Sequence, residues 1–340
     1  MKKRGFIASV IFLIVFLAFY FLRDNEAGGS GIYQRNEGTV FGTLYHISYE
    51  YPDDIHDQIK AELQRFDNSL STFNKQSVIS RINQNDPNVE ADEWFTRVFL
   101  KGRAVSDATE GSFDMTVAPL VNAWGFGFKK SESVTPAMID SIRTFVGFEK
   151  VKLEGKKVIK SDSRIMLDAS AIAKGYACDV IGEFLATKGV RNFMVEIGGE
   201  VTARGKNKSG KCWRIGINKP IEDASASSGE IQDIISICNG GMATSGNYRN
   251  FYYKDGKRVA HTIDPRTGYP VEHTLLSATV IAPDCMTADA FATAFMVMGL
   301  EKSLAVVHNN PEIEAYFIYS ADGEKNEIKM SDGFEQYLKK

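Results

Sequence analysis

Six short strand-like stretches between residues 193 and 282 constrain the fold of this chain more than any other feature. They span residues 193–197, 213–217, 233–238, 248–253, 258–263 and 277–282. Asp255-Gly256, between the fourth and fifth stretches, is typical of a tight hairpin turn. Strand and helix patterns do not alternate regularly, as they would in a doubly wound parallel sheet. The sequence therefore predicts an α+β fold with antiparallel sheets and flanking helices.

Apolar residues at helical spacing predict the flanking helices. These helices cover residues 55–66, 94–105, a segment that begins at Pro136, residues 172–184 and residues near 287–299. Thr135 is the expected N-cap of the third helix, and Gly189 could terminate the fourth. Val151 to Lys160 alternates around Glu154-Gly155-Lys156 and predicts a hairpin. Residues 315–319 and 326–330 predict a closing pair of strands.

The first thirty residues predict a membrane anchor. Gly5 to Leu22 has no charged side chain, and as a helix it would span about 27 Å, close to the hydrocarbon thickness of a bilayer. The basic residues at 2–4 favour a cytoplasmic N-terminus with the rest of the chain outside. A cleavable signal peptide is the alternative, but the bulky residues 19–22 do not resemble its small-residue cleavage site. The predicted divisions are a basic cytoplasmic tip at 1–4, a transmembrane signal anchor at 5–22, a linker at 23–37 and a folded domain at 38–340.

The charge of the chain separates this anchor from the body. The 40 basic and 43 acidic side chains give a net charge of −3, whereas residues 1–30 alone carry four basic and two acidic groups. The anchor segment therefore sums to +2 and the body to −5. A mildly acidic body lacks the basic surface that holds a phosphate backbone, which argues against nucleic acid as a partner.

Cysteine and glycine patterns exclude several common binding motifs. The four cysteines, Cys178, Cys212, Cys238 and Cys285, lack the paired spacing of zinc sites and lie far from the apolar run, so we expect structural or incidental thiols and no lipid attachment. Gly205 to Lys211 matches seven positions of a phosphate loop, but Cys212 replaces the required Ser or Thr and no helix pattern follows. A basic hairpin loop is the better interpretation. Gly198-Gly199 likewise misses the spacing of a dinucleotide-binding fold.

Three local patterns could carry chemistry, and each also has a structural interpretation. His261 lies where an edge strand meets a Pro/Gly turn, a place that exposes functional side chains, although a lone histidine is more often structural. Asp289 and Thr293 lie four residues apart on a predicted helix and could form part of a magnesium shell, or Asp289 could simply favour the helix dipole. Asp168 precedes small residues at a predicted strand-to-helix junction. It could lie beside a ligand whose anionic group binds at the start of the helix, or it could cap the helix.

Taken in order, these and other segments resemble the ApbE family, the FAD:protein FMN transferases. The resemblance runs from about Gly38 to Tyr319. Its segments are Phe41-Gly42-Thr43, Leu70-Ser71-Thr72-Phe73, Gly111-Ser112-Phe113-Asp114, Val117-Ala118-Pro119-Leu120, Trp124-Gly125-Phe126-Gly127, Asp168 to Asp179, Gly198-Gly199, Ala243-Thr244-Ser245-Gly246, His261 to Gly268, and Ala288-Asp289 through Thr293. Several motifs in a compatible order are much more specific than any one of them.

The resemblance implies a flavin transferase with a T-fold-type core. Such enzymes split FAD in a Mg²⁺-dependent reaction and attach its FMN half to a Thr or Ser hydroxyl of an acceptor protein through a phosphoester bond, releasing AMP. Acceptors are typically membrane-associated redox subunits, which agrees with an anchor in the bacterial inner membrane and a catalytic domain facing the periplasm or cell exterior. The alternatives are a FAD pyrophosphatase, an anchored flavin-binding module without turnover, and a surface binding protein for another nucleotide.

The resemblance also assigns site residues. It places Mg²⁺ on Asp289, Thr293 and the backbone carbonyl of Ala171, with Ala292 where some members have a further carboxylate. The flavin-nucleotide positions are Phe41, Phe73, Ser112, Phe113, Asp114, Asp168, Lys174 and Ile263. Phe41 replaces a common methionine, and the segment 168–171 departs from the commoner Asp-Leu-Gly-Gly. His261 is our hypothesis for the base that accepts the proton of the acceptor hydroxyl.

Overall fold

The computed structural model describes residues 31–126, 134–221, 230–247, 251–254, 257–321 and 325–338. The predicted membrane anchor at residues 5–22 and the Asp255-Gly256 turn lie outside these ranges. Within them, no helix is long and apolar enough to cross a membrane.

An eight-stranded sheet forms the centre of the described chain. The strands are β1 (Tyr33–Val40), β2 (Thr43–Glu50), β3 (Val151–Glu154), β4 (Lys157–Lys160), β5 (Phe193–Ile197), β6 (Glu200–Arg204), β7 (Trp213–Asn218), β8 (Ile231–Ile237), β9 (Asn239–Gly246), β10 (Phe251–Lys254), β11 (Lys257–Ala260), β12 (Leu275–Ala282), β13 (Glu314–Ser320) and β14 (Asn326–Met330). The large sheet has the order β1-β2-β5-β6-β9-β12-β13-β14, and every neighbouring pair in it is antiparallel. Strands β3-β4, β7-β8 and β10-β11 form separate two-stranded sheets. The prediction of antiparallel sheets is confirmed.

Helices pack beside this sheet, and five of the eight in the described ranges lie where the apolar spacing predicts them; the short second and fourth helices and the last one were not predicted. They are α1 (His56–Leu70), α2 (Val78–Asn83), α3 (Glu93–Ala108), α4 (Ala118–Ala123), α5 (Pro136–Arg143), α6 (Ala173–Thr187), α7 (Cys285–Met298) and α8 (Leu300–Asn309). Thr135 caps α5 by accepting a hydrogen bond from the Met138 N–H. Gly189, with φ at 83°, follows the end of α6 in the left-handed conformation that glycine favours. Both predicted helix boundaries are therefore confirmed.

Alternating residues along the strands build a core on each face of the large sheet. Ala243 and Phe317 belong to the larger core, which includes α1, α3, α6 and α7. Their neighbours Met242 and Tyr316 belong to a smaller core with Trp213 of the β7-β8 hairpin. Successive side chains of a strand point to opposite faces, so central strands such as β12 and β13 are buried on both sides, whereas the edge strands β1 and β14 are largely exposed or half-buried. The result is a layered α+β domain with α6 and α7 packed side by side on one face.

Several sequence predictions of local structure were wrong. Strands β1, β2, β6 and β9 were missed. The predicted strand at 248–253 agrees with β10 from Phe251 onwards, and its residues 248–250 lie outside the described ranges. Residues 165–167 form an extended segment rather than a strand, because Leu167 pairs with the Asn83 side chain and not with a neighbouring strand. The loop 205–212 is not a hairpin, because β6 pairs with β5 and β9 while β7 pairs with β8. The loop is followed by strand β7 and not by a helix, which agrees with the prediction that it is not a phosphate loop.

Two of the four cysteines are not thiols, contrary to the sequence prediction. Cys212 and Cys238 form a disulfide across the outer ends of the β7-β8 hairpin. Their separation of 26 residues hides the pair in the sequence, because only the pairing of β7 with β8 brings the two positions together. Cys178 and Cys285 are free and buried, which agrees with the structural role predicted for them.

The disulfide is expected to stabilise the smaller core. A crosslink that closes a loop of this length lowers the conformational entropy of the unfolded chain. This stabilises the folded state by about 3 kcal/mol. The double variant Cys212→Ser/Cys238→Ser should lose about this amount in urea unfolding, and dithiothreitol should have no further effect on it. Equal urea midpoints for the variant and the parent would show that the crosslink contributes nothing.

Candidate functional site

A cavity of about 530 Å³ opens above the packed helices α6 and α7. Its walls come from the segment before α6, the ends of β5, β6 and β9, one face of α7 and the loop after β11. Eleven of the thirteen residues that the sequence assigns to the site line it. They are Phe73, Ser112, Phe113, Asp114, Asp168, Ala171, Lys174, His261, Ile263, Asp289 and Thr293.

The two remaining assigned residues do not line the cavity. Phe41 occupies the β1-β2 turn with φ at 52°, and its ring packs against Phe66 at a centroid distance of 5.5 Å. Ala292 is fully buried among the apolar side chains of the larger core. Both side chains pack in or against the larger core instead, so neither is placed for direct contact with a ligand in this cavity.

Asp289 and Thr293 project from α7 into the cavity, one helical turn apart. The Gly175 N–H donates a hydrogen bond to Asp289 Oδ2 at 2.9 Å, and Thr293 Oγ1 lies 3.2 Å from Ser245 Oγ. Asp289 does not begin its helix, because Asp284 is the N-cap and accepts from the Thr287 N–H. The structural alternative, in which Asp289 favours the start of its own helix, is therefore wrong, and its carboxylate instead meets the first turn of α6.

The approach of α6 to α7 depends on Gly175. A Cβ atom at this position would lie 2.3 Å from the Cys285 carbonyl oxygen and 2.7 Å from Asp289 Cβ. Asp179, one turn further along α6, accepts hydrogen bonds from the Cys285 and Met286 N–H groups at 3.0 and 2.8 Å and so caps α7. Burial raises the pKa of this Asp179 carboxyl to about 7. These contacts hold Asp289 at a fixed place relative to the start of α6.

Gly175→Ala is expected to separate the two helices. The added methyl group collides with backbone, so we expect an overpacking penalty of about 1–3 kcal/mol in unfolding free energy and a roughly tenfold loss of activity from the displaced Asp289. Gly182→Ala is the matched control on the same helix, since its Cβ would meet side-chain atoms and no backbone, the Phe193 ring at 3.0 Å and Thr202 Cγ2 at 3.3 Å. Thermal unfolding and steady-state rates of both variants test this. A Gly175→Ala enzyme as stable and active as the control would refute the role given to this contact.

Lys174, Glu200 and Asp289 form a charged cluster at the base of the cavity. Lys174 Nζ lies 2.6 Å from Glu200 Oε1. Burial raises the pKa of Glu200 to about 7, and the Lys174 charge only partly opposes this shift. Burial also raises the pKa of Asp289 above its ordinary value. Burial alone would lower the pKa of Lys174, but the charges of Glu200 and Asp289 outweigh it and raise that pKa.

Ser112, Asp114 and Asp168 also line the cavity. Ser112 Oγ is buried and has no hydrogen-bond partner in the described part of the chain. Asp114 is fully engaged by the protein itself, since it accepts from the Thr116 N–H and hydroxyl and from the Phe148 N–H, and burial raises its pKa. Asp168 Oδ1 accepts from the Ser170 N–H in a local turn and does not cap α6, whose N-cap is Ile172. Burial raises the pKa of Asp168 as well.

His261 directly follows β11 and enters the cavity from a tightly braced turn. Asp264 and Arg266 form a bidentate ion pair at 2.9 Å within this turn, and the Trp124 indole N–H donates to the Gly268 carbonyl at 2.8 Å. Burial alone would raise the pKa of Asp264, but the hydrogen bonds and charge of Arg266 lower it below its ordinary value. The His261 ring lies 6.3 Å from the Phe126 ring. The turn thus presents an imidazole on a rigid support, as the sequence predicts.

Phe73 offers an aromatic face at the mouth of the cavity. Its side chain is 82% exposed, the highest value among the large apolar residues of the described chain. A planar ring system could pack on such a face, because aromatic pairs attract one another in offset or edge contacts.

The donor set of Asp289, Thr293 and the Ala171 carbonyl fits a hard cation such as Mg²⁺. All three donors are oxygen, and Mg²⁺ usually keeps several waters and binds through one or two carboxylates plus substrate phosphate. In the described ranges, no group of three or more His, Cys, Asp or Glu side chains is placed to hold a metal ion. The residues therefore fit a cation that is completed by water and by a phosphate-bearing ligand.

Glu200 is a site residue that the sequence did not indicate, whereas Ser245 lies in a segment of the family resemblance but was given no role there. Glu200 opens a strand, and nothing in the spacing of the chain connects it to Lys174, which lies 26 positions earlier. Its position directly after Gly198-Gly199 is the one available signal, because a two-glycine turn marks the end of a hairpin where side chains become accessible.

Comparison with known proteins gives a consistent result. The family model described as the ApbE family matches residues 41–317. A Haemophilus influenzae protein named FAD:protein FMN transferase is 39% identical over 301 residues, which cover 84% of this chain and 86% of the relative. A Vibrio cholerae protein of the same name is 37% identical and covers 88% of this chain and 89% of its own length.

Solved structures show the same likeness. The flavin transferase ApbE from Vibrio cholerae superposes with a TM-score of 0.81 at 35% identity, covering 91% of this chain and all of the other. The apo form of the Pseudomonas stutzeri flavinyl transferase ApbE has a TM-score of 0.80 at 30% identity, with coverage of 91% and 97%.

Proposed function

This chain belongs to the ApbE family, and we propose that it transfers the FMN half of FAD to a threonine or serine hydroxyl of an acceptor protein. The relatives named FAD:protein FMN transferase support flavin transfer to a protein. The observation that carries the proposal is one cavity that Lys174, Asp289 and Thr293 line together with His261. The first group suits a pyrophosphate with its cation, and the second suits proton transfer.

The proposed reaction is a phosphoryl-group transfer. The acceptor oxygen forms a bond to the phosphorus on the FMN side of the pyrophosphate, the bridging P–O bond breaks, and AMP leaves with the electron pair. The hydroxyl proton passes to the His261 imidazole, which can accept it at neutral pH. Mg²⁺, when bound, would neutralise charge on the pyrophosphate. Lys174 would bind phosphate oxygens, and positioning by the rigid walls would lower the remaining barrier.

Several buried polar groups support FAD as the ligand. Ser112 Oγ and Glu200 Oε2 are buried beside the cavity without a partner in the described structure, and such groups destabilise a protein unless a ligand or water satisfies them. Phe73 provides the exposed aromatic surface that an isoalloxazine ring could cover. The ligand thus needs both a polar pyrophosphate part and a planar aromatic part.

The decisive experiment incubates the full chain in detergent with FAD, MgCl₂ and a candidate acceptor. Transfer adds the mass of FMN to a Thr or Ser peptide and releases one AMP for each modified acceptor. AMP and free FMN without acceptor labelling would instead identify a FAD pyrophosphatase. Intact FAD throughout would identify a flavin-binding module without turnover.

We also propose that residues 5–22 anchor the chain in the bacterial inner membrane, with the catalytic domain outside the cytoplasm. The Cys212–Cys238 disulfide supports this, because disulfides persist in oxidising compartments. Acceptors would then be membrane-associated redox subunits that are reached from the same side. Carbonate extraction of membranes and protease accessibility in spheroplasts test the anchor and its direction.

A further inference from the structure

Glu200 is a buried carboxylate that uses only one of its two oxygens. Its side chain is 4% exposed, and Oε1 lies 2.6 Å from Lys174 Nζ. Oε2 has no hydrogen-bond partner in the part of the chain that the structure describes. An unsatisfied buried carboxylate oxygen carries a desolvation penalty, which a hydrogen bond from a ligand or from water would relieve.

The backbone fixes Glu200 at this place. Gly198 and Gly199 form the two-residue turn between β5 and β6 with φ values of 65° and 104°, and Glu200 is the first residue of β6, opposite Ile197. The Cys178 thiol of α6 donates to the Glu200 carbonyl at 3.2 Å. Glu200 and Gly198 both line the cavity. A carboxylate held on a hairpin end and braced by a helix is preorganised for a ligand.

The charge of the cluster identifies the kind of group that is missing. Two carboxylates, Glu200 and Asp289, share the single cation Lys174, so their ionised forms leave one net negative charge in a buried place. A divalent cation with its bound water would satisfy both the charge and the free oxygen.

We propose that Glu200 is a second carboxylate of the magnesium site, with Oε2 accepting hydrogen bonds from water on the cation while Oε1 holds Lys174 for the phosphates. The proposal rests on the proposed function, because it requires the cation and the pyrophosphate to meet in this cavity. Glu200 is thereby a positioning residue that acts through water. Partners of this outer kind commonly change metal affinity by ten- to a hundredfold.

Glu200 could alternatively serve only to hold Lys174, and charge distinguishes the two roles. Glu200→Gln removes a negative charge and should weaken cation binding. Lys174→Met removes a positive charge from the same cluster, so it should leave cation binding as strong or stronger while it weakens FAD binding. If Glu200 acted only through Lys174, both variants would weaken FAD binding and neither would weaken cation binding.

Mn²⁺ is a suitable probe, because the electron paramagnetic resonance of free Mn²⁺ reports its concentration directly. The full chain in detergent, saturated with FAD and without acceptor, is titrated with Mn²⁺, and chromatography verifies that FAD stays intact. We expect the dissociation constant for Mn²⁺ to rise at least tenfold in Glu200→Gln. Glu200→Asp should restore part of the affinity, and Glu183→Gln, on the exposed surface of α6, should match the parent.

Unchanged Mn²⁺ affinity in a folded Glu200→Gln protein, with a thermal midpoint near that of the parent, would overturn the proposal. An equal loss of Mn²⁺ affinity in Lys174→Met and in Glu200→Gln would overturn the proposal as well. A parent protein that binds Mn²⁺ and FAD but labels no acceptor would instead contradict the proposed function. The two failures are therefore distinguishable.

Discussion

Asp289→Ala is expected to abolish flavin transfer at millimolar Mg²⁺. Asp289 is the one carboxylate that α7 projects into the cavity, and its Oδ2 is already fixed by the Gly175 N–H. Losing this ligand removes charge stabilisation of several kcal/mol, and about 4 kcal/mol corresponds to roughly a thousandfold in rate. The change should be measured as FMN incorporation into the acceptor and as AMP release, each over a range of Mg²⁺ concentrations.

Asp284→Ala is the matched control for this variant. Asp284 caps the same helix by accepting from the Thr287 N–H at 2.7 Å, and its loss should lower stability by about 1 kcal/mol without removing a cavity ligand. Transfer by the control should stay within a few fold of the parent. If Asp289→Ala kept full activity, and if EDTA also left the parent active, the magnesium hypothesis would be wrong.

Sequence patterns predicted the groups that one secondary-structure element brings together. Asp289 and Thr293 share a helix face because they are four residues apart, and His261 lies at the end of a strand beside a turn with Pro265 and Gly268. These arrangements depend on local geometry alone, so spacing is enough to find them. The family resemblance then added Lys174 and Ser112, whose side chains line the same cavity.

The sequence could not predict the contacts that form between elements far apart in the chain. Lys174 meets Glu200 because α6 packs on β5 and β6, and Cys212 meets Cys238 because β7 pairs with β8. Strand β1 was missed because Tyr33–Val40 contains few apolar residues and its pattern of burial is weak. Pairing with β2 nevertheless makes it an edge strand. Long-range contacts of this kind leave no periodic signal in the chain.

The second large effect is expected at His261. A threonine or serine hydroxyl is a poor nucleophile until a base accepts its proton, and His261 lines the cavity on a turn that is braced by the Asp264–Arg266 ion pair. His261→Ala should therefore reduce acceptor labelling by roughly two orders of magnitude or more, the usual scale of base catalysis. FAD affinity, measured by quenching of flavin fluorescence, should change by only a few fold, because the cluster around Lys174 stays intact.

Three further measurements separate loss of a base from loss of structure. An imidazole changes charge between about pH 5 and 8, so labelling by the parent should rise with pH in this range. The variant should show a weaker dependence, because Glu200 and Asp179, with pKa values of about 7, still titrate there. Added imidazole should restore part of the activity of His261→Ala, since the truncated side chain leaves space beside the cavity. His308→Ala, in the last turn of α8, is the matched histidine control and should label the acceptor at the parental rate. Undiminished labelling by His261→Ala would remove this residue from the mechanism, and the proton would then have to pass to another group or to water.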